Sequence, residues 1–450
     1  MSVLHAAVPL FLTLVVAEWL IARFRRRTVY ALHDSVTDLG CGILSQICGV
    51  YLGILSLGAY RVAATLSAPY AAGLFPRWPA AGPLSSVRAA TAWLVAFLLV
   101  DFGQYWMHRA SHRVSILWAC HLVHHSSEEL NYTVALRNSS LHGLFLWVVP
   151  LPLAVAGVPW QAFAVCYGLN VAYQFWLHTR VIGRLGWFEW VFNTPSHHRV
   201  HHGRDAEYLD RNYGGVLIVW DRIFGTFAEE NREPHYGIAP PAPGSDPVWM
   251  NLWGFGEIAR EVRRATGARG KTVALLGPPR WSGRPGSPRV STDPSTSGRS
   301  LSEAYALGQF FLLFAVTVSR LDDLGRASVG DVAAYGALVA LTLTGVSAVL
   351  EQRSWARRFE VARLVAVALA AATPGLHDTG LAPAAPLMGY ALLSLISIPV
   401  LTRSTRPMLH PSLTTSVTGV DAAAPRRPPR DRDGITARDG LIAPAAPIGR

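Results

Sequence analysis

Lysine is all but absent from this chain. Lys271 is the only one, so arginine supplies nearly all of the 40 basic residues and of the formal net charge of +11. Charge of either sign is scarce. Only 15% of the 450 residues are charged, against about 25% in soluble domains, while 51% are hydrophobic. An ordinary soluble enzyme is therefore excluded, and a multi-pass membrane protein is expected. The positive balance does not point to nucleic acid, because the arginines gather at the ends of apolar runs instead of forming a basic face. Cysteine is scarce too. Cys41, Cys48, Cys120 and Cys166 form no C-x-x-C pair. That excludes a disulfide framework and a cysteine zinc site, and leaves buried thiols. No cleavable leader is expected either: the first apolar stretch runs into Arg23 without a small-residue cleavage site, so it reads as a retained anchor.

Long apolar runs are what the chain does have. A helix of about 20 mostly apolar residues spans a bilayer, and candidates lie at 3–22, 39–65, 89–107, 143–177, 303–319, 331–350, 359–374 and 384–402. The 143–177 run is too long for one span. Gly157, Val158 and Pro159 near its middle predict a helical hairpin. Arg23, Arg25, Arg26 and Arg27 close the first span and predict a cytoplasmic end. Counting forward places 108–142, 178–302 and the tail after 402 on the same side, as do Arg353, Arg357 and Arg358. Residues 270–300 are rich in Gly, Pro, Ser and Arg, and 403–450 contain PRRPPRDRD. These read as a linker and a disordered tail. The expected division is 1–94, N-terminal transmembrane helices; 95–230, a histidine-rich domain; 231–302, a cytoplasmic segment and linker; 303–402, C-terminal transmembrane helices read as a separate module; and 403–450, the tail. The fold class is all-α. The arginine bias predicts a bacterial inner membrane protein.

Of the 16 histidines, the ones that matter fall into three boxes between 108 and 202. His108 and His112 read H-R-A-S-H. His121, His124 and His125 read H-L-V-H-H, and His198, His201 and His202 read H-R-V-H-H. His178 stands alone between the second and third boxes. Residues three and four apart share a helix face, so each box is expected to aim its imidazoles in one direction. The first box ends a span and the others lie on the same predicted side, where they can converge. Eight or nine neutral imidazoles suit transition metals, and nine exceed the needs of one four-coordinate ion, so two metals are expected. The boxes contain almost no carboxylate, unlike soluble di-iron bundles with their Glu and Glu-x-x-His ligands. An all-histidine metal pair beside a membrane fits oxygen activation against an apolar substrate.

The order H-x3-H, H-x2-H-H, lone His, H-x2-H-H resembles the fatty acid hydroxylase and sterol desaturase superfamily of membrane di-iron oxygenases. The stretches YWMHRASH, WACHLVHHSSEELNYTVALRNS, QFWLHTRVIGRLGWFEWVFNTPSHHRVHHGRD and RNYGGVLIVWDRIFGTF carry the resemblance over most of 101–228. The wording is most similar to the alkylglycerol monooxygenase family within it. The resemblance implies that His108, His112, His121, His124, His125, His178, His198, His201 and His202 hold two iron ions. It also implies that O2 attacks a C–H bond of a membrane lipid, next to an ether oxygen in the alkylglycerol case. Tetrahydrobiopterin or another external donor would supply electrons. Arg113 follows the first box where the family tends to carry an acidic residue, which bears on the pterin and the substrate.

Ligating histidines usually donate their second N–H to a carboxylate or carbonyl. Asp101, two turns before His108, is the first candidate for that role, with pairing to Arg109 as its alternative. Glu128, Asn131 and Asp205 flank the boxes and are the others. His197 points about 100° from His198 on a helix and reads as outside the ligand set, as does His142. Arg137 and Asn138 read as solvated loop residues or as contacts to a lipid head group. Two other readings stand beside the oxygenase: sterol, fatty acid or carotenoid hydroxylation or desaturation, and a histidine-rich metal transporter or sensor. Transporters keep polar groups at the bilayer midplane, whereas these histidines sit at span ends and in loops.

Overall fold

The computed structural model describes residues 3–74, 78, 86–239, 241–242, 244–279, 301–372, 389–392, 394–395 and 398. All of them belong to one compact unit, Met1–Thr405. The expected tail at 403–450 and most of the expected 384–402 span and Gly/Pro/Ser/Arg-rich linker lie outside the described residues. Among the described residues every regular element is a helix, and one isolated bridge pairs Phe192 with Leu217.

The helices follow the apolar runs. They are α1 (Val3–Phe24), α2 (Leu32–Leu74), α3 (Val87–Arg113) and α4 (Ser115–His125); then α5 (Gly143–Leu146), α6 (Leu151–Val155), α7 (Trp160–Phe175), α8 (Pro195–His202) and α9 (Val219–Ile223); and finally α10 (Pro247–Arg264), α11 (Gly267–Leu276), α12 (Leu301–Leu324), α13 (Val329–Leu350) and α14 (Ala356–Ala372). Among the described residues, four segments are long and apolar enough to cross a membrane: Leu32–Tyr70, Val87–Arg113, Leu301–Leu324 and Val329–Leu350. The expected 359–374 span appears as α14, 17 residues long. The 143–177 run is broken into α5, α6 and α7, and its hairpin turns where the sequence predicts. Gly157 takes φ +76°, where a side chain would be strained, and Pro159 caps α7.

Local signals explain the starts. The Ser86 hydroxyl accepts from Ala89 N at the head of α3. Ser328 and Asp331 form a capping box on α13. Asp246 caps α10, with Pro247 in its first turn. α8 likewise begins on Pro195 and ends before Gly203.

α2 organises the packing. At 43 residues it is about 64 Å long, roughly twice the hydrocarbon thickness of a bilayer. Ile43 and Ile47 pack with Phe310, Val339 and Leu343 of α12 and α13. Further along, Tyr60 packs with Val100 of α3, Leu153 of α6 and Phe163 of α7. The C-terminal helices therefore share a core with the N-terminal ones. α10 lies against α4 nearly backbone to backbone: a Cβ at Gly254 would fall 2.8 Å from Ala119 Cα.

The first turns of α2 carry Asp34 and Asp38, and both meet Arg137. Its guanidinium lies 2.8 Å from each carboxylate and also donates to Val123 O and Ser126 Oγ at the end of α4. Arg137 is buried, not a solvated loop residue or a head-group contact; Asn138 beside it is exposed, and its side-chain amide donates to Ala135 O. The loop folds inward because two carboxylates and two further acceptors replace the water that a guanidinium would otherwise need. Removing the cation strands two carboxylates at low dielectric. Arg137→Met is therefore expected to cost about 3–5 kcal/mol, read as a drop in thermal unfolding midpoint in detergent. An unchanged midpoint would show that the clamp is not needed.

Candidate metal centre

Nine histidines converge from four places: the end of α3, the face of α4, the turn after α7 and the short helix α8. Their nitrogens form two adjoining groups. His108, His112, His121, His125 and His201 make one, and His124, His178, His198 and His202 make the other. Within each group the candidate ligand atoms all lie within 4.8 Å of one another. The His125 and His202 rings stack at 4.4 Å across the boundary.

The division cuts through the boxes, so the expectation that each box aims in one direction is corrected. Residues i and i+4 are offset by about 40° around a helix, whereas neighbours are about 100° apart. The i,i+4 pairs His108/His112, His121/His125 and His198/His202 each stay together. In each H-H dipeptide the two members part: His124 leaves His125, and His201 leaves His202. One dipeptide thus serves both groups.

Hydrogen bonds fix which nitrogen faces inward. Nδ1 of His108 meets Tyr213 O at 2.9 Å, and Nδ1 of His124 meets Arg137 O at 3.3 Å. Nδ1 of His178 meets Gln174 O at 3.0 Å, and Nδ1 of His201 meets Arg211 O at 2.9 Å. A carbonyl only accepts, so each of these Nδ1 atoms carries the proton, and each Nε2 presents a lone pair to the cluster. His124 and His178 consequently point lone pairs at each other across 3.1 Å. Nε2 of His112 and of His201 are buried with no hydrogen-bond partner. Facing lone pairs repel, and a cation among them turns repulsion into coordination. Burial, and then mutual repulsion, hold His121, His124, His125, His198, His201 and His202 well below the ordinary imidazole pKa; burial brings His178 down to about 4. All of them are neutral at pH 7, as metal ligands must be.

Main-chain carbonyls do the orienting, and the chain is folded to deliver them. The 209–218 loop brings in Arg211 O and Tyr213 O. Asp210 and Asn212 take the left-handed conformation there, φ +60° and +54°, which Asn and Asp tolerate best after Gly. Asn212 is tied to His197 O and Ala228 O. The Asp221 carboxylate accepts from Tyr213 N, Gly214 N and Thr226 Oγ1. A Cβ at Gly214 would lie 2.6 Å from Leu217 O. Arg199, buried in α8, forks onto Glu230 with two 2.6 Å bonds and donates to Thr179 O and Ile182 O. It holds the third box against the segment that carries His178.

The four carboxylate and amide candidates sit elsewhere. Asp101 is fully buried and accepts from Val216 N, Leu217 N, Trp220 Nε1 and Asn170 Nδ2. It touches neither a histidine nor Arg109; it anchors the loop whose Tyr213 carbonyl receives His108. Glu128 is exposed. Asn131 bonds Val29 O and Thr133, and Asp205 pairs with Arg232 and His235. Sequence reasoning looked for side-chain partners and missed the carbonyls, Arg199 and Asp221. The signal was the RNYGG run after the third box, where Asn and Gly allow a tight left-handed turn. His142 lies 6.1 Å from His121, ring to ring, and joins neither group; His197 packs on Phe227.

The fatty acid hydroxylase family profile matches residues 93–226. Alkylglycerol monooxygenase of Danio rerio is 33% identical over 413 residues, 88% of this chain and 86% of that protein. The chain belongs to the fatty acid hydroxylase family. The human alkylglycerol monooxygenase is 34% identical over 370 residues, covering 79% of this chain and 80% of its own. The Xenopus tropicalis protein is 37% identical over 285 residues, 60% and 63% of the two chains. No solved structure matches. The chain is thus a membrane lipid hydroxylase and an oxidoreductase, and the family assignment favours hydroxylation over the desaturase and metal-transport readings. These vertebrate relatives lend no support to the bacterial origin read from the arginine bias.

Asp101 provides the test of the carbonyl-delivery scheme. In Asp101→Asn one oxygen becomes an NH2 facing donors, and bonds to a charged acceptor are worth about 1.5–3 kcal/mol each. The expected outcome is a lower unfolding midpoint together with reduced bound metal, although no histidine has changed. Full metal retention would uncouple the loop from the cluster.

Proposed function

We propose that the chain holds two iron ions, one in each histidine group, and uses O2 to hydroxylate an alkylglycerol ether lipid at the carbon next to the ether oxygen. The facing lone pairs of His124 and His178 carry the metal assignment. The names of the relatives support the substrate. When bound, the irons supply the activation of O2. Hydroxylation consumes one O2, two electrons and two protons, and releases water. The product is a hemiacetal, which collapses to an aldehyde and a free glycerol hydroxyl. The two electrons come from an external donor, a reduced pterin being the one the resemblance implies.

The chain's own residues bind and orient. Nε2 of His108, His112, His121, His125 and His201 would hold one ion, and the corresponding atoms of His124, His178, His198 and His202 would hold the other. The carbonyls of Arg137, Gln174, Arg211 and Tyr213 hold four of these rings in one tautomer. Without that, ring flips would present an N–H to the metal. The cluster belongs on the cytoplasmic side, a reading supported by the arginine run after α1. Arg25 donates to Val181 O and Arg27 to Arg180 O, beside His178, so the positive-inside segment and the histidines share a face.

Metal per chain on detergent-purified protein, with O2 uptake on an alkylglycerol and a reduced pterin, tests the proposal. About two irons with substrate-dependent uptake is the expected result. Two irons without uptake would reject the substrate or donor; iron-free protein after iron-replete growth would reject the metal. His124→Ala is expected to abolish turnover and lower bound iron, because it removes a ligand from the boundary between the groups. His142→Ala is the control and is expected to retain both ions. Equal iron in the two variants would overturn the ligand set.

A further inference from the structure

Against the opposite side of α8 from the histidine cluster lies a cavity of about 520 Å³ that none of the nine histidines lines. Arg184, Arg222, Glu229, Trp190, Phe227 and His197 form its walls. Its charged groups are unequally occupied. Glu230, also in the wall, is consumed by Arg199, and Glu189 Oε1 accepts from Leu185 N, Thr194 and Ser196. Arg184 and Arg222 each donate to one main-chain carbonyl, those of Glu230 and Glu189, which leaves most of their five N–H donors for a ligand. Arg222 lies 3.8 Å over the Phe227 ring. Glu229 is exposed and 3.9 Å from Arg184. His197 is 97% buried, at 3% exposure, and its Nδ1 has no hydrogen-bond partner. An orphaned buried nitrogen in a cavity wall calls for a ligand atom.

The cavity's position indicates where such a ligand comes from. The 3₁₀ turn Gly186–Trp190 rims it, with Trp187 and Trp190 exposed at 77% and 73%. Next to that rim, Trp220 and Phe224 of the α9 segment pack on Phe102 and Trp106 of α3, at 5.1 and 5.0 Å between rings. Phe102 and Trp106 lie about 16 and 10 Å before the end of α3, a helix long and apolar enough to cross a membrane. The rim therefore stands level with one end of a span, the depth at which tryptophan gathers in bilayers.

We propose that this cavity is an accessory site for the zwitterionic head group of a membrane phospholipid. The phosphate sits between the Arg184 and Arg222 guanidiniums and bonds the His197 imidazole. The ammonium lies against the Glu229 carboxylate and the Trp190 face. A purely anionic ligand would compete with Glu229 for Arg184 and set two negative charges side by side. Trp187 and Trp190 seat the turn in the interface, so the lipid held here steadies α8 against the bilayer and is not the molecule oxidised. The proposal depends on the membrane-lipid reading only for the presence of a bilayer.

Full-length, lipid-depleted protein in detergent is titrated by calorimetry with three probes. These are dihexanoylphosphatidylcholine below its micelle concentration, a short-chain phosphatidylglycerol and inorganic phosphate. Saturable binding of the phosphocholine lipid is expected, with at least about tenfold weaker binding of the other two. Arg184→Gln/Arg222→Gln is expected to lose the binding with metal content unchanged. Trp190→Ala, a change at an exposed side chain, is expected to weaken it severalfold. Equal affinity for inorganic phosphate would make this a free-anion site and overturn the proposal, as would equal affinity for phosphatidylglycerol or no binding at all. Lipid binding by protein that hydroxylates nothing would sink the proposed activity and leave this site standing.

Discussion

Everything in the oxygenase half of this molecule serves one constraint: imidazoles packed within a few ångströms must stay neutral and point their lone pairs the same way. A histidine has two nitrogens and can present either. The proton is held on Nδ1 of His108, His124, His178 and His201 by a carbonyl, a group that accepts and never donates. Burial then makes protonation of Nε2 costly. The cluster is thus prepared for a cation by its backbone, without any carboxylate touching the rings of those four residues.

Delivering carbonyls is a demand on the whole fold, and it explains where the buried charges went. Asp34 and Asp38 on α2 clamp Arg137, whose carbonyl receives His124. Asp101 on α3 and Asp221 on α9 gather the N–H groups of the 213–217 loop, beside the carbonyl that receives His108. Buried ion pairs such as that of Arg137 with Asp34 and Asp38 are not efficient stabilisers; apolar residues of similar volume often do as well. They do impose geometry, since each has one arrangement that satisfies its partners. That suits a site in which a ring flip would be fatal.

The membrane enters as a second constraint. α2 is too long for a bilayer alone, and its excess length carries the aspartates into the histidine layer while its apolar remainder packs with α6, α7, α12 and α13. α3 and α7 leave apolar residues exposed, among them Leu99, Trp106, Val165 and Leu169, as helices that face lipid do.

Much of this was legible in the residues. Apolar runs of span length, a Gly-Val-Pro break, arginines at span ends and the 3.6-residue period settle helices, a hairpin and the facing of i,i+4 histidines, because these depend on neighbours in sequence. Asp101 could be singled out as a buried charge but not assigned, since its partners lie 69 to 119 residues away. Arg137 reads as a loop residue until α2 supplies two carboxylates. The sequence by itself therefore determined which histidines could converge and that the first pair, His108 and His112, closes a span-length helix. Only the tertiary structure decided how nine histidines divide into two groups and which nitrogen of each faces in. That choice rests on a 100° turn between neighbours and on carbonyls delivered from distant loops, and neither the partner nor its distance is written in the local chain.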